Sequence, residues 1–140
     1  MGLFSKKEPE PIRLDIYTLS QEDCETFAGF PNGSTWTEVG TALDAIGTEV
    51  EPRQDILEAI HGHLAEDAEQ TQNIPVFLQQ EDKRMRVILY DNIVGYVPDD
   101  KAPAMIKRSD KGVVPAMGYI RRFDDGRYGV HFFVLDKYLR

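Results

Sequence analysis

At 140 residues, with 41% hydrophobic and 29% charged side chains, the chain is long enough for one adequate core and ordinary in composition for a globular protein. A formal charge of -8 argues against indiscriminate binding to polyanions, which an excess of Lys and Arg attracts. No stretch is apolar and long enough to span a bilayer, and the single cysteine, Cys24, excludes an internal disulfide and fits a reducing cytoplasm.

The opening MGLFSKKEPEP has no apolar secretory core ahead of its charges and carries Lys6 where myristoylation needs Ser or Thr, so neither signal peptide nor lipid anchor is expected. Residues 1–11 are expected to form a flexible arm, followed by a single α+β domain over 12–140. Within it, residues 12–73 read as a strand plus an acidic helical part, and residues 74–140 as a β-rich part. Ile12, Leu14 and Ile16 alternate with Arg13, Asp15 and Tyr17, the period of a half-buried strand. A loop follows.

FPNGST (30–35) concentrates turn residues, and Ser34 or Thr35 can cap a helix starting at Trp36, with Thr35 and Glu38 in capping-box spacing. Val39, Ala42, Leu43 and Ile46 then share one helical face, and Gly47 is a natural stop. A second amphipathic helix places Pro52 in its first turn, Asp55 and Glu58 where the dipole favours acids, and Ile56, Leu57, Ile60 and Leu64 on one stripe.

After the polar connector AEDAEQTQN (65–73), IPVFLQQ reads as a strand with Pro75 at its start or on an edge. RMRVILY puts Met85, Val87 and Leu89 inward and Arg84, Arg86, Ile88 and Tyr90 outward. Asp91-Asn92 turns the chain into IVGYV, where Gly95 suggests a bulge or close backbone approach. Asp99 or Asp100 caps a short helix through Ala104, Met105 and Ile106, with Pro103 in its first turn. Two last strands, 113–122 and 127–135, are joined by FDDGR, a hairpin signal, with Tyr128, Val130, Phe132 and Val134 inward.

The order of elements, with DILEAIHGHL, IPVFLQQED, MRVILYDN running into IVGYVPDDKAPAMI, and the closing hairpin VVPAMGYIRRFDDGRYGVHFFVL, resembles a HIRAN domain over residues 56–135. The resemblance implies a small antiparallel β-barrel or curled sheet with two amphipathic helices before it and one short helix after the VGYVP turn. It also implies binding of DNA, notably the end of a single strand. The family's Asn-Pro-x-Asp-x-Asn-Ala type of stretch is absent; QQEDKRMRVIL stands in its place.

The charge is uneven: residues 1–73 hold 4 Lys and Arg against 15 Asp and Glu, whereas residues 74–140 hold 12 against 9. Single-strand binders combine a cationic groove with rings on which bases stack. Arg84, Arg86, Tyr90 and Tyr96, with Lys101 and Lys107, form the candidate nucleic-acid surface; Arg121, Arg122, Phe123 and Arg127 form a second basic and aromatic group. Ordinary protection of exposed sheet edges, with Tyr96 half buried, is the simpler explanation of the same residues.

No catalytic residues, metal ligands or cofactor are expected, and the chain reads as a non-enzyme. His61 and His63 sit on different sides of a helix, and Cys24 lies among acids that raise its pKa. The phosphate-loop, zinc-spacing and triad signatures are missing. The sequence therefore points to a cytoplasmic, non-catalytic binding module for single-stranded or end-containing nucleic acid. The alternative is a protein-interaction or regulatory domain that docks a partner or a second copy of itself.

Overall fold

The computed structural model describes residues 14–31 and 36–140. The expected arm over 1–11, Ile12 and Arg13 of the expected first strand, and the Ser34 and Thr35 cap lie outside the described residues.

Leu14 and Ile16 pack against the core, but residues 14–20 take no regular structure. The alternation there marked burial, and among the described residues no strand pairs with this segment. The loop expected next contains helix α1 (Gln21–Ala28). Ser20 caps it by accepting from the Asp23 amide, and Gly29 ends it at φ 82°. One helical turn, α2 (Trp36–Val39), then runs directly into strand β1 (Gly40–Asp44). The helix expected to carry Ala42, Leu43 and Ile46 is thus corrected to a strand. Leu43 pairs with Phe132 and Asp44 with His131, so a sheet ladder overrides the helical spacing.

Helix α3 (Arg53–Leu64) is where the sequence places it and buries Leu57 and Ile60. His61 is buried: its Nε2 lies 3.3 Å from the Glu69 carbonyl and its ring packs on Tyr128. His63 is exposed.

The remaining elements are β2 (Ile74–Glu81), β3 (Arg84–Leu89), β4 (Asn92–Tyr96), α4 (Ala102–Arg108), β5 (Val113–Arg122), β6 (Tyr128–Leu135) and a closing 3-10 turn (Asp136–Tyr138). The six strands form one antiparallel sheet in the order β1-β6-β5-β2-β3-β4. The sheet is not closed into a barrel, so of the two expected forms the barrel is corrected. Its edges meet at a single point among the described residues, where Ile46, just past β1, exchanges both backbone hydrogen bonds with Tyr96 at 2.8 and 2.9 Å. Gly95 permits this approach, since a Cβ there would lie 2.8 Å from the Ile46 carbonyl oxygen.

The inner face buries Val76, Leu78, Met85, Val87, Ile120 and Phe132 beneath Leu57 and Ile60 of α3 and Met105 of α4. On the outer face α1 lies over β5 and β2, and Cys24, Ala28 and Phe30 meet Met117. Burial, and then the charges of Asp23 and Glu25, push the Cys24 thiol up. The expected Asp caps of α4 are corrected: Lys101 occupies the cap position and no side chain bonds there. Asp99 faces Arg84 instead, and Asp100 faces Lys101.

Candidate binding surfaces

Arg84 and Arg86 project from the outer face of β3, and Arg86 stands opposite Tyr96 of β4. The Arg84 guanidinium lies 3.8 Å from the centre of the Tyr96 ring. Arg53, at the start of α3, joins them: it donates to the Gly47 carbonyl at 2.8 Å and sits 5.0 Å from the same ring centre. Three of the expected residues therefore converge, with one that sequence reasoning missed.

The charges of Arg84 and Arg86 are already used. Arg86 is hydrogen-bonded to Glu81 and holds that carboxyl below its usual range. Arg84 Nε lies 3.3 Å from Asp99 Oδ1, an ion contact without hydrogen-bond alignment. Lys101 Nζ is 3.9 Å from Asp100. A ring covered by guanidinium groups also offers little face for a base, because the site of stacking is occupied.

Tyr90, expected outward, is corrected to a core residue with 8% exposure. The turn falls one residue earlier than expected, with Tyr90 at φ 48° and Asp91 at φ 67°, and this reverses the direction of the side chain. Its hydroxyl donates to the Tyr17 carbonyl at 3.0 Å, and burial pushes the phenol up to about 12. It presents no ring to a ligand. Lys107 is exposed in the last turn of α4, beside Arg108, and makes no ion pair among the described residues.

The second basic and aromatic group flanks the β5–β6 hairpin. Arg121 bonds Glu69 at 3.1 Å and lies 5.6 Å over the Phe123 ring; Arg122 donates to the Asp67 carbonyl; Arg127 bonds Asp125 at 2.7 Å. Beside them a pocket of 410 Å³ opens on the outer face, lined among others by Asp44, Tyr119, Arg121, Phe123, Gly129 and His131. Sequence reasoning did not find this site. Tyr119 opposite His131 follows from the hairpin register once the Asp-Gly turn is placed, but Asp44 was hidden in a segment whose spacing suggested helix.

A different pocket, of 490 Å³, lies between the end of α4 and the end of the chain, lined by Arg108, Ser109, Asp110, Lys137, Tyr138 and Arg140. Arg108 Nε donates to the Arg140 main-chain oxygen at 3.1 Å, and Lys137 Nζ stands 5.1 Å from the Tyr138 ring centre. Ion pairs hold Arg84, Arg86, Lys101, Arg121 and Arg127, whereas Arg108, Lys137 and Arg140 make none with a side chain among the described residues.

An apolar row also crosses the outer face: Pro115 pairs with Phe77, Phe77 with Ile88, and Ile88 with Ile93. Phe77 and Ile93 are 39% and 37% exposed. Among the described residues no group of three or more His, Cys, Asp or Glu side chains is placed to hold a metal ion, and no helix is long and apolar enough to cross a membrane.

No family model, curated protein or solved structure matches the chain.

Proposed function

We propose that the chain is a non-catalytic binding module of HIRAN-like fold that takes single-stranded or end-containing nucleic acid, seated at the pocket between α4 and the chain end. The observation that carries this reading is that Arg108, Lys137 and Arg140 line one pocket and, among the described residues, pair with no Asp or Glu side chain, whereas Arg84, Arg86, Arg121 and Arg127 do. Lys107 and Lys111 flank Arg108 in sequence and extend the positive field, while Asp110 opposes it. Tyr138, half-buried and with Lys137 5.1 Å from its ring centre, offers a base only the exposed part of its ring at the rim. The Val94 to Pro98 run, which leads from β4 towards α4, supports the HIRAN-like reading. A seat of this size suits a strand end better than a long track, and a net acidic chain disfavours a track.

A labelled ten-nucleotide single strand, titrated at two salt concentrations fourfold apart, tests this. Neutralising about three phosphates predicts weakening of roughly tenfold or more on the salt increase. Combined Arg108→Glu and Lys137→Glu substitution is expected to cost at least about tenfold in affinity and to flatten the salt dependence, while Arg84→Gln stays within about twofold. Absence of binding at low salt, or binding that ignores both salt and the charge reversals, rejects the proposal.

The row from Pro115 to Ile93 supports a second reading, docking of a protein partner or a second copy, because contiguous exposed apolar surface marks interfaces. The row ends on β4, an edge strand whose outer side is bridged only at Tyr96 among the described residues. Solution mass measured on the same sample separates self-association, which Phe77→Asp should abolish, from a monomer.

A further inference from the structure

We infer that the outer-face pocket of β1, β6 and β5 is a site for a methylated ammonium group. Register builds it: Asp44 of β1 stands opposite His131 of β6, and His131 stands opposite Tyr119 of β5, so a carboxylate, an imidazole and a phenol ring share one row. Below that row Phe123 folds back over Gly129, where a Cβ would lie 2.8 Å from the ring and displace it. Tyr119, His131 and Phe123 therefore contribute aromatic surface to one pocket of 410 Å³, within the range of small-ligand sites.

The charges select the class of guest. Asp44 Oδ1 accepts from His131 Nδ1 at 2.7 Å, and the Asp44 side chain is 82% exposed. Arg121, the one permanent cation in the lining, is bonded to Glu69 by both Nε and Nη2. With Arg121 paired to Glu69, which lies outside the lining, Asp44 leaves the site a net negative charge that favours a cation over a phosphate. Arg121 sits 5.6 Å over the Phe123 ring and covers part of it, so a guest meets the exposed remainder of that ring together with Tyr119 and His131. A methylated ammonium fits better than a bare one: its charge is spread over methyl groups, it sheds water more readily, and its methyls pack on ring faces.

The site is separate from the α4 pocket, and its test uses ligands that the nucleic-acid proposal does not involve. Amide shifts of Tyr119, Gly129 and His131 are followed by NMR in the full chain while choline, and separately its neutral isostere 3,3-dimethylbutan-1-ol, are added. Two further arms use a short peptide bearing trimethyllysine and the same peptide unmethylated. Choline is expected to bind with a dissociation constant on the order of a millimolar and at least about tenfold more tightly than the neutral alcohol. Phe123→Ala, which removes a 45% exposed ring, and Asp44→Asn should each weaken choline at least about threefold while the remaining spectrum stays native.

A trimethyllysine peptide that binds more tightly than choline, and more tightly than its unmethylated form, assigns the guest to a protein side chain; parity with choline assigns it to a free small molecule. Both outcomes support the proposal. Equal binding of the neutral alcohol, full retention of binding in Phe123→Ala, or no shift from choline or peptide at about 20 mM overturns it.

Discussion

Gly118→Ala is expected to be the most damaging single substitution in the sheet. Gly118 lies within β5 opposite Phe132 of β6, and a Cβ there would fall 2.3 Å from the His131 carbonyl oxygen and 2.7 Å from both Cα and Cβ of Phe132. None of these atoms is the far end of a flexible side chain. Relief requires β6 to move away from β5, yet Phe132 is fully buried and β6 also carries β1 on its other side. Overpacking of this kind costs about 3 kcal/mol or more, a large share of the roughly 5–15 kcal/mol that holds a domain folded. Thermal unfolding should show a midpoint lower by about 10 °C or more, or no cooperative transition at all. A midpoint within about 2 °C of the parent would show that the strands are not packed as closely as Gly118 implies. The same displacement would separate Tyr119 from His131, so choline binding should fall together with stability in this variant.

The residues that announced their structure in advance are those whose signal is local. Leu57 and Ile60 recur at helical spacing, Met85, Val87 and Leu89 at strand spacing, and Asp125-Gly126 marks the hairpin; each is satisfied by its own element before any long-range partner is known. The failures came where a distant partner decides. Ala42 and Leu43 fit a helical stripe equally well, and only pairing with Phe133 and Phe132, some ninety residues later, draws them into an edge strand. Helix α1 was readable from the Ser20 cap and Gly29, but its short apolar stripe of Cys24 and Ala28 faces Met117 and gave a weak period.

The candidate sites show the same division. Grouping Arg84, Arg86 and Tyr96 needed only strand register, whereas the carboxylates of Glu81 and Asp99 that neutralise the arginines became visible with side-chain positions. Tyr90 was lost to a one-residue shift of a turn, which is enough to reverse the facing of a side chain. The α4 pocket joins Arg108 to Lys137 and Arg140 through packing of α4 on the closing 3-10 turn, a contact for which the sequence holds no marker.

Gln54→Leu is expected to cost about 3 kcal/mol, although it preserves volume and removes no apolar contact. The Gln54 amide nitrogen donates to the Thr48 carbonyl at 2.6 Å and to the Tyr128 carbonyl at 2.8 Å, and its oxygen accepts from the Tyr128 amide at 2.9 Å. One side chain in the first turn of α3 thereby completes the loop after β1 and the first residue of β6, at the place where β6 has just left the hairpin. Leucine leaves three main-chain groups without partners, and each costs about 1–3 kcal/mol where water cannot replace the bond. Partial access to water brings the sum to the lower end of that range.

Gln54→Glu is the informative companion, because it keeps the acceptor for the Tyr128 amide but sets a carboxylate against two carbonyl oxygens. It should be at least as destabilising as leucine near neutral pH, and should recover part of the loss in acid, where a protonated carboxyl can donate one bond. Urea unfolding measures the energies, and hydrogen exchange of the Tyr128 amide locates them. That amide should exchange markedly faster in Gln54→Leu while Val87 and Ile120, deep in the sheet, keep their protection relative to the global stability. If the Tyr128 amide stays protected in the leucine variant, the clamp is not what holds the start of β6. Gly129, the next residue, then keeps its place under Phe123 by hairpin pairing alone, and the methylammonium pocket should survive the substitution.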